Sequence, residues 1–175
     1  MKKVAVLYSE YIPVIDAIKC QLKNAEVFTF DSIPQNYSDF DLIVSVNFKT
    51  NSDIPMLKSH YSLFPAFMES DEPIRDSMLY GNKVTGLTIY FNNPFRIVAQ
   101  YPLMISNSAH FDEVLQEITY LEQVIYPLVV EKVLNNETVD MKTILSKGCS
   151  GNCGGCGGCC SGRTAPSGGA LPPGR

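Results

Sequence analysis

Five of the six cysteines in this chain of 175 residues fall within twelve positions: Cys149, Cys153, Cys156, Cys159 and Cys160, in the pattern C-x3-C-x2-C-x2-C-C. Soft thiolates at two- and three-residue spacings can wrap Zn²⁺, Cu⁺ or an iron–sulfur cluster, and the intervening glycines let the backbone turn sharply between ligands. The two separated pairs usual for zinc are absent, so zinc, copper and an iron–sulfur cluster all stay open. Adjacent Cys159 and Cys160 suit a vicinal dithiol that grips a thiophilic atom or resolves a mixed disulfide. The sixth, Cys20, sits on a predicted helix face and is expected to be a buried small hydrophobe.

The segment that carries these thiols differs from the rest. Residues 1–147 hold two of the twelve glycines and residues 148–175 hold ten, ending in "RTAPSGGALPPGR". Such a run buries too little surface to offset its ordering entropy, so 148–175 is expected to be a disordered Cys/Gly-rich tail behind a folded domain at 1–147. A Gly/Cys-rich segment of this kind is also similar to the thiazole-bearing cores of modified peptides, with the folded domain then serving as an oversized leader.

Within 1–147, "KVAVLY" (3–8), "EVFTF" (26–30) and "DLIVSV" (41–46) read as strands, the first of the continuous apolar kind buried in a parallel sheet. "IPVIDAIKCQLK" (12–23) spaces Ile12, Ile15, Ala17, Ile18 and Leu22 for a helix face. "DEPIRDSMLYG" (71–81) reads as a helix with Asp71 and Glu72 at its cap and Gly81 as its left-handed stop. "VTGLTIYF" (84–91) and "RIVAQYPLMI" (96–105) read as long strands about a tight turn. A long helix follows, with Phe111, Val114, Leu115, Ile118, Leu121, Ile125, Leu128, Val129 and Val133 on its apolar stripe, and Pro127 is expected to kink or divide it. The order implies an α/β domain with a mostly parallel sheet flanked by helices.

The net charge of −4 argues against nucleic-acid binding, which needs a basic surface. No apolar run approaches the roughly 20 residues of a membrane span. "MKKVAVLYSEYIPVIDAI" has the outline of a signal peptide, but Glu10 and Asp16 interrupt it and no small-residue cleavage site follows. A cytoplasmic location is the expectation.

"HYSLFPAF" (60–67), "GNKVTGLTIYF" (81–91), "IVAQYPLMI" (97–105) and "LEQVIYPLVVEKVL" (121–134) together resemble the folate-dependent formyltransferases, most closely the glycinamide ribonucleotide formyltransferases. That family carries an Asn-x-His-Pro-Ser-Leu-Leu-Pro element at a strand end, a Gly-x-Thr strand, a strand ending in Gln and a helix with a Tyr-Pro step. The resemblance spans about residues 41–134. It implies a Rossmann-like fold with its site at the strand carboxyl ends, and attack of a small-molecule amine on the formyl carbon of formyl-tetrahydrofolate. It also implies an Asn and a His that polarise the formyl oxygen, and an Asp that tunes the His.

Carried over by position, the family His is His60. The family Asn is Lys58, whose ammonium can hydrogen-bond an oxyanion. The loop that should bear the Asp has shrunk to "FNNPFR", where Asn93 is the nearest candidate and cannot act as a base. Tyr61 replaces the motif proline, and "YSEYIP", with Glu10, replaces the glycine-rich phosphate turn. Asn47, Phe48 and Lys49 fall where the family holds folate. A plainer account makes His60 a structural residue that hydrogen-bonds its own loop, and Ser62 a loop or helix cap. The competing function is a non-catalytic carrier or binding module for a protein partner, with the metal or modification on the cysteines.

Overall fold

The computed structural model describes residues 1–140. The expected boundary at 147/148 and Cys149, Cys153, Cys156, Cys159 and Cys160 lie outside the described residues.

Six strands form one sheet in the order β2-β1-β3-β4-β5-β6. Strands β1 (Lys2–Tyr8), β2 (Ala25–Phe30), β3 (Leu42–Val46) and β4 (Leu57–His60) run parallel, and β5 (Val84–Asn92) and β6 (Phe95–Met104) add an antiparallel hairpin to β4. This is the α/β, mostly parallel architecture that the residue pattern implies. All of β3 and the centre of β1 are buried, as in a sheet covered on both faces.

The two faces are covered differently. Val4, Val6, Val44 and Val46 join one core with residues of α1 (Pro13–Gln21), α2 (Pro73–Leu79) and α3 (Phe111–Leu134). Ala5, Leu7, Ile43 and Met56 point the other way, against Phe30, Ile33, Phe40, Phe48 and Ile54. Loop side chains close that second face, because the short stretch between β2 and β3 holds only a 3-10 turn at Tyr37–Asp39.

Several local expectations need correcting. Cys20 is exposed: it lies two residues beyond buried Ile18, about 200° round the helix. Pro127 does not divide α3, which runs unbroken over 24 residues. Pro127 is itself buried beside Tyr126, Val129 and Val130, so packing offsets the backbone bond the proline cannot donate. At the start of α2, neither Asp71 nor Glu72 caps with its side chain. Ser70 Oγ accepts the Glu72 amide at 3.0 Å and donates to Asp76 at 2.5 Å instead. Gly81 does stop that helix in the left-handed region, at φ 70°.

Candidate functional site

The chain passes from β1 to β2 on one side and places β3 on the other. At such a switch point an open α/β sheet leaves a crevice beyond its strand carboxyl ends. A cavity of about 650 Å³ opens beyond the carboxyl ends of β3 and β4, beside that switch point, lined by Asn47, Phe48 and Lys49 after β3, by Lys58 and His60 of β4, and by Glu122 of α3.

Strand β4 is short, and pairs with β3 only through Val44–Leu57 and Ser45–Lys58. Its position is fixed from the helix side by the fully buried Tyr126, whose hydroxyl lies 2.7 Å from the Leu57 carbonyl and 3.1 Å from that of Ser45. The loop after β4 is fixed from β5. Thr88 Oγ1 donates to the Ser62 carbonyl at 2.6 Å and accepts from Gln100 Nε2 at 3.1 Å. Thr85 Oγ1 donates to the Tyr61 carbonyl at 3.4 Å. Gly86 has no room for a side chain, since a Cβ would run into the Tyr101 carbonyl oxygen and the Leu63 side chain. The Gly-x-Thr strand, the following Gln and the Tyr-Pro step therefore act together to hold the segment that carries His60. Ser62 is buried and donates to Met68 Sδ at 3.4 Å, so it caps no helix.

His60 Nε2 lies 2.9 Å from the Phe67 carbonyl. A carbonyl only accepts, so Nε2 carries the hydrogen and Nδ1 is the nitrogen left for chemistry. The loop hydrogen bond of the plainer account is thus present, and it uses one nitrogen of two. Lys58 is half-buried and forms no ion pair among the described residues, and burial lowers the pKa of its ammonium. Lys49 pairs with Asp71 at 2.5 Å, with both side chains exposed, and holds that carboxyl below its ordinary range. Asn47 takes a left-handed conformation, φ 49°, which asparagine tolerates.

Asn93 is not brought to this cavity. It is exposed in the β5–β6 turn, with its Nδ2 donating to the Asp53 carbonyl at 2.6 Å. The cavity gains a different carboxylate. Glu122 is 3 % exposed, with Ser59 Oγ donating to Oε1 and Tyr61 OH donating to Oε2 at 2.6 Å. Burial raises the Glu122 pKa against the opposing pull of these two hydrogen bonds. Tyr61 is raised far above its usual value, first by burial and then by the neighbouring Glu122 charge. The sequence held a signal for Glu122: it stands four residues after Ile118 and three before Ile125, on the apolar stripe of α3. Among the described residues no group of His, Cys, Asp or Glu is placed to hold a metal ion.

A second cavity, of about 860 Å³, lies elsewhere, lined by Lys2, Phe40, Arg96 and Val133 among others, and it includes none of the site residues named from sequence. No helix among the described residues is long and apolar enough to cross a membrane.

No family model and no curated protein matches the sequence. Solved structures do match. A phosphoribosylglycinamide formyltransferase of Bacillus halodurans superposes with a TM-score of 0.61 at 19 % identity, covering 76 % of this chain and 95 % of that one. The chain has the formyltransferase fold. A phosphoribosylglycinamide formyltransferase of Anaplasma phagocytophilum gives a TM-score of 0.63 at 18 % identity, over 77 % of this chain and 88 % of that one. A formyltetrahydrofolate deformylase of Pseudomonas syringae shares the same fold at a TM-score of 0.63 and 12 % identity, over 77 % of this chain and 62 % of that one.

Proposed function

We propose that the cavity at the ends of β3 and β4 is a one-carbon transfer site, moving a formyl group from formyl-tetrahydrofolate to a small-molecule amine. The observation that carries this reading is convergence: Asn47, Phe48, Lys49, Lys58 and His60, named from sequence alone, line one cavity. Its size suits a ligand of that class. Phe48, Tyr90 and Phe111 supply aromatic surface for a flat heterocycle, and an anionic tail would have to take Lys49 from Asp71, with which it is paired. Bound there, the cofactor would supply the carbonyl carbon that the amine attacks.

As the amine added, negative charge would grow on the formyl oxygen. The Lys58 ammonium and, in the protonated imidazole, the His60 Nδ1–H are the donors that would meet it. The bond to the folate nitrogen would then break, and the proton given up by the amine would end on that nitrogen in the released tetrahydrofolate. The Phe67 carbonyl fixes which histidine nitrogen is available. Asn47 and Phe48, which line the cavity, would orient the bound group. The test is release of tetrahydrofolate from formyl-tetrahydrofolate across a panel of amines. His60→Ala and Lys58→Met are each expected to lower kcat by about 10²-fold or more. Absence of turnover by the wild type across the panel would sink the reading.

A second reading is favoured by Asn93, which lies away from the cavity, and by Glu10 in place of a phosphate turn. Here a domain at 1–147 is a carrier, and the cysteines of 148–175 hold zinc, copper or an iron–sulfur cluster, or are modified. Elemental analysis and intact mass of protein from its native host separate the two. Stoichiometric metal lost on serine replacement of Cys153, Cys156 and Cys159, or a mass deficit of water and two hydrogens per thiazole, supports the carrier. An unmodified, metal-free chain removes it.

A further inference from the structure

We propose that Glu122 is a positioning residue for His60, acting through the two residues that flank it. Ser59 and Tyr61 stand on either side of His60 in the chain, and both donate their hydroxyl hydrogens to this one carboxylate, one to each oxygen. Ser59 reaches the carboxylate from the last turn of the pleat in β4 and Tyr61 from the bend that follows the strand, so the backbone on both sides of His60 is tied to α3. A clamp on 59 and 61 therefore sets where the intervening side chain leaves the backbone. The third fixed point is the Phe67 carbonyl, 2.9 Å from His60 Nε2.

The clamp is well founded in the fold. Glu122 is 3 % exposed on the buried stripe of α3, between Ile118 and Ile125, which are 0 % and 1 % exposed. A glutamate at such a position is costly unless its oxygens are satisfied, and here each has a donor. The same helix anchors β4 one turn further on, where Tyr126 reaches Leu57. Helix α3 thus fixes the strand at its start and at its end, and His60 follows.

This inference rests on the reading of His60 as the polarising group, but its test does not need turnover. The chain has two histidines, and the other, His110, lies at the start of α3, outside the cavity lining. Nitrogen-15 spectra of the histidine rings in the full chain report each tautomer separately. In wild type His60 should show the Nε2–H form. In Glu122→Ala, with the His110 signals as an internal control, His60 should move to a mixture of tautomers. Glu122→Gln should restore the wild-type pattern, because its amide oxygen can accept from Tyr61 and its amide nitrogen can donate to Ser59. Tyr61→Phe removes one of the two bonds and tests the clamp if Glu122→Ala does not fold; it should give a smaller change of the same kind. An unaltered His60 pattern in folded Glu122→Ala or Tyr61→Phe overturns the proposal, as does Glu122→Gln behaving like Glu122→Ala. Loss of formyl transfer in every amine screen with the tautomer results intact would fault the function and leave the clamp standing.

Discussion

Thr88 on β5 donates its hydroxyl to the Ser62 carbonyl at 2.6 Å while accepting the Gln100 amide at 3.1 Å. One fully buried hydroxyl thus joins the loop after β4 to both strands of the hairpin. Thr88→Val keeps the shape and removes both bonds, leaving a carbonyl and an amide without partners. The expected cost is about 1–3 kcal/mol, read as a lower urea midpoint at an unchanged denaturant slope. A loss below about 0.5 kcal/mol would show that the loop does not depend on this bond.

Gly86 lies two residues before Thr88 on the same strand, against the Tyr101 backbone and the Leu63 side chain. A single methyl there meets a carbonyl of the partner strand, which cannot rotate away. Gly86→Ala is expected to destabilise by about 1–3 kcal/mol through overpacking. Thermal unfolding decides it, and an unchanged or higher Tm would mean the hairpin opens freely.

Tyr126→Phe tests the link between α3 and β4. The hydroxyl serves the buried carbonyls of Ser45 and Leu57, at the register positions that join β3 to β4. Its loss should cost about 1–3 kcal/mol and raise hydrogen exchange in β4 before β1. Uniform exchange across the sheet would contradict that local role.

How much of this is legible in the sequence depends on the range of each interaction. The apolar runs of β1 and β3 declare themselves, because a strand covered on both faces needs no partner information to be recognised. The stripe of α3 is equally plain. Two of its buried members, Glu122 and Tyr126, make sense only with Ser59, Tyr61, Ser45 and Leu57, which are 61 to 81 residues away in sequence. Spacing cannot supply those partners. Pro127 leaves α3 undivided for a related reason: local rules charge it with a lost backbone bond, while its burial beside Tyr126 belongs to the tertiary fold. Asp71 reads as a cap from its neighbours in the chain, yet it pairs with Lys49, 22 positions earlier. The cavity itself is legible through His60 and the residues at 47–49. Asn93 is not, because the β5–β6 turn lies beside the start of β4, not its carboxyl end, and holds Asn93 on the Asp53 carbonyl.

Glu122 also gives a pH signature. Burial holds its pKa above the ordinary value of 4.5, so the folded chain keeps a proton that the unfolded chain releases as pH rises past that value. The sign follows: its burial weakens the fold as pH climbs from about the ordinary carboxylate value through the folded pKa, and has no effect below both. Glu122→Gln should remove that dependence. The difference in unfolding free energy between wild type and Glu122→Gln, followed from about pH 4 to about pH 8, should shift in favour of the variant as pH rises. A constant difference would mean that Glu122 does not titrate across this window.

The proposed formyl-transfer site is most directly tested by nuclear magnetic resonance titration of the full labelled chain with a non-hydrolysable formyl-folate analogue. The amides of Asn47, Phe48, Lys49, Lys58 and His60 are expected to shift together and saturably, with those of Phe40 and Val133 at the second cavity unchanged. No saturable shift, or one confined to Phe40 and Val133, would contradict a one-carbon transfer site at the ends of β3 and β4.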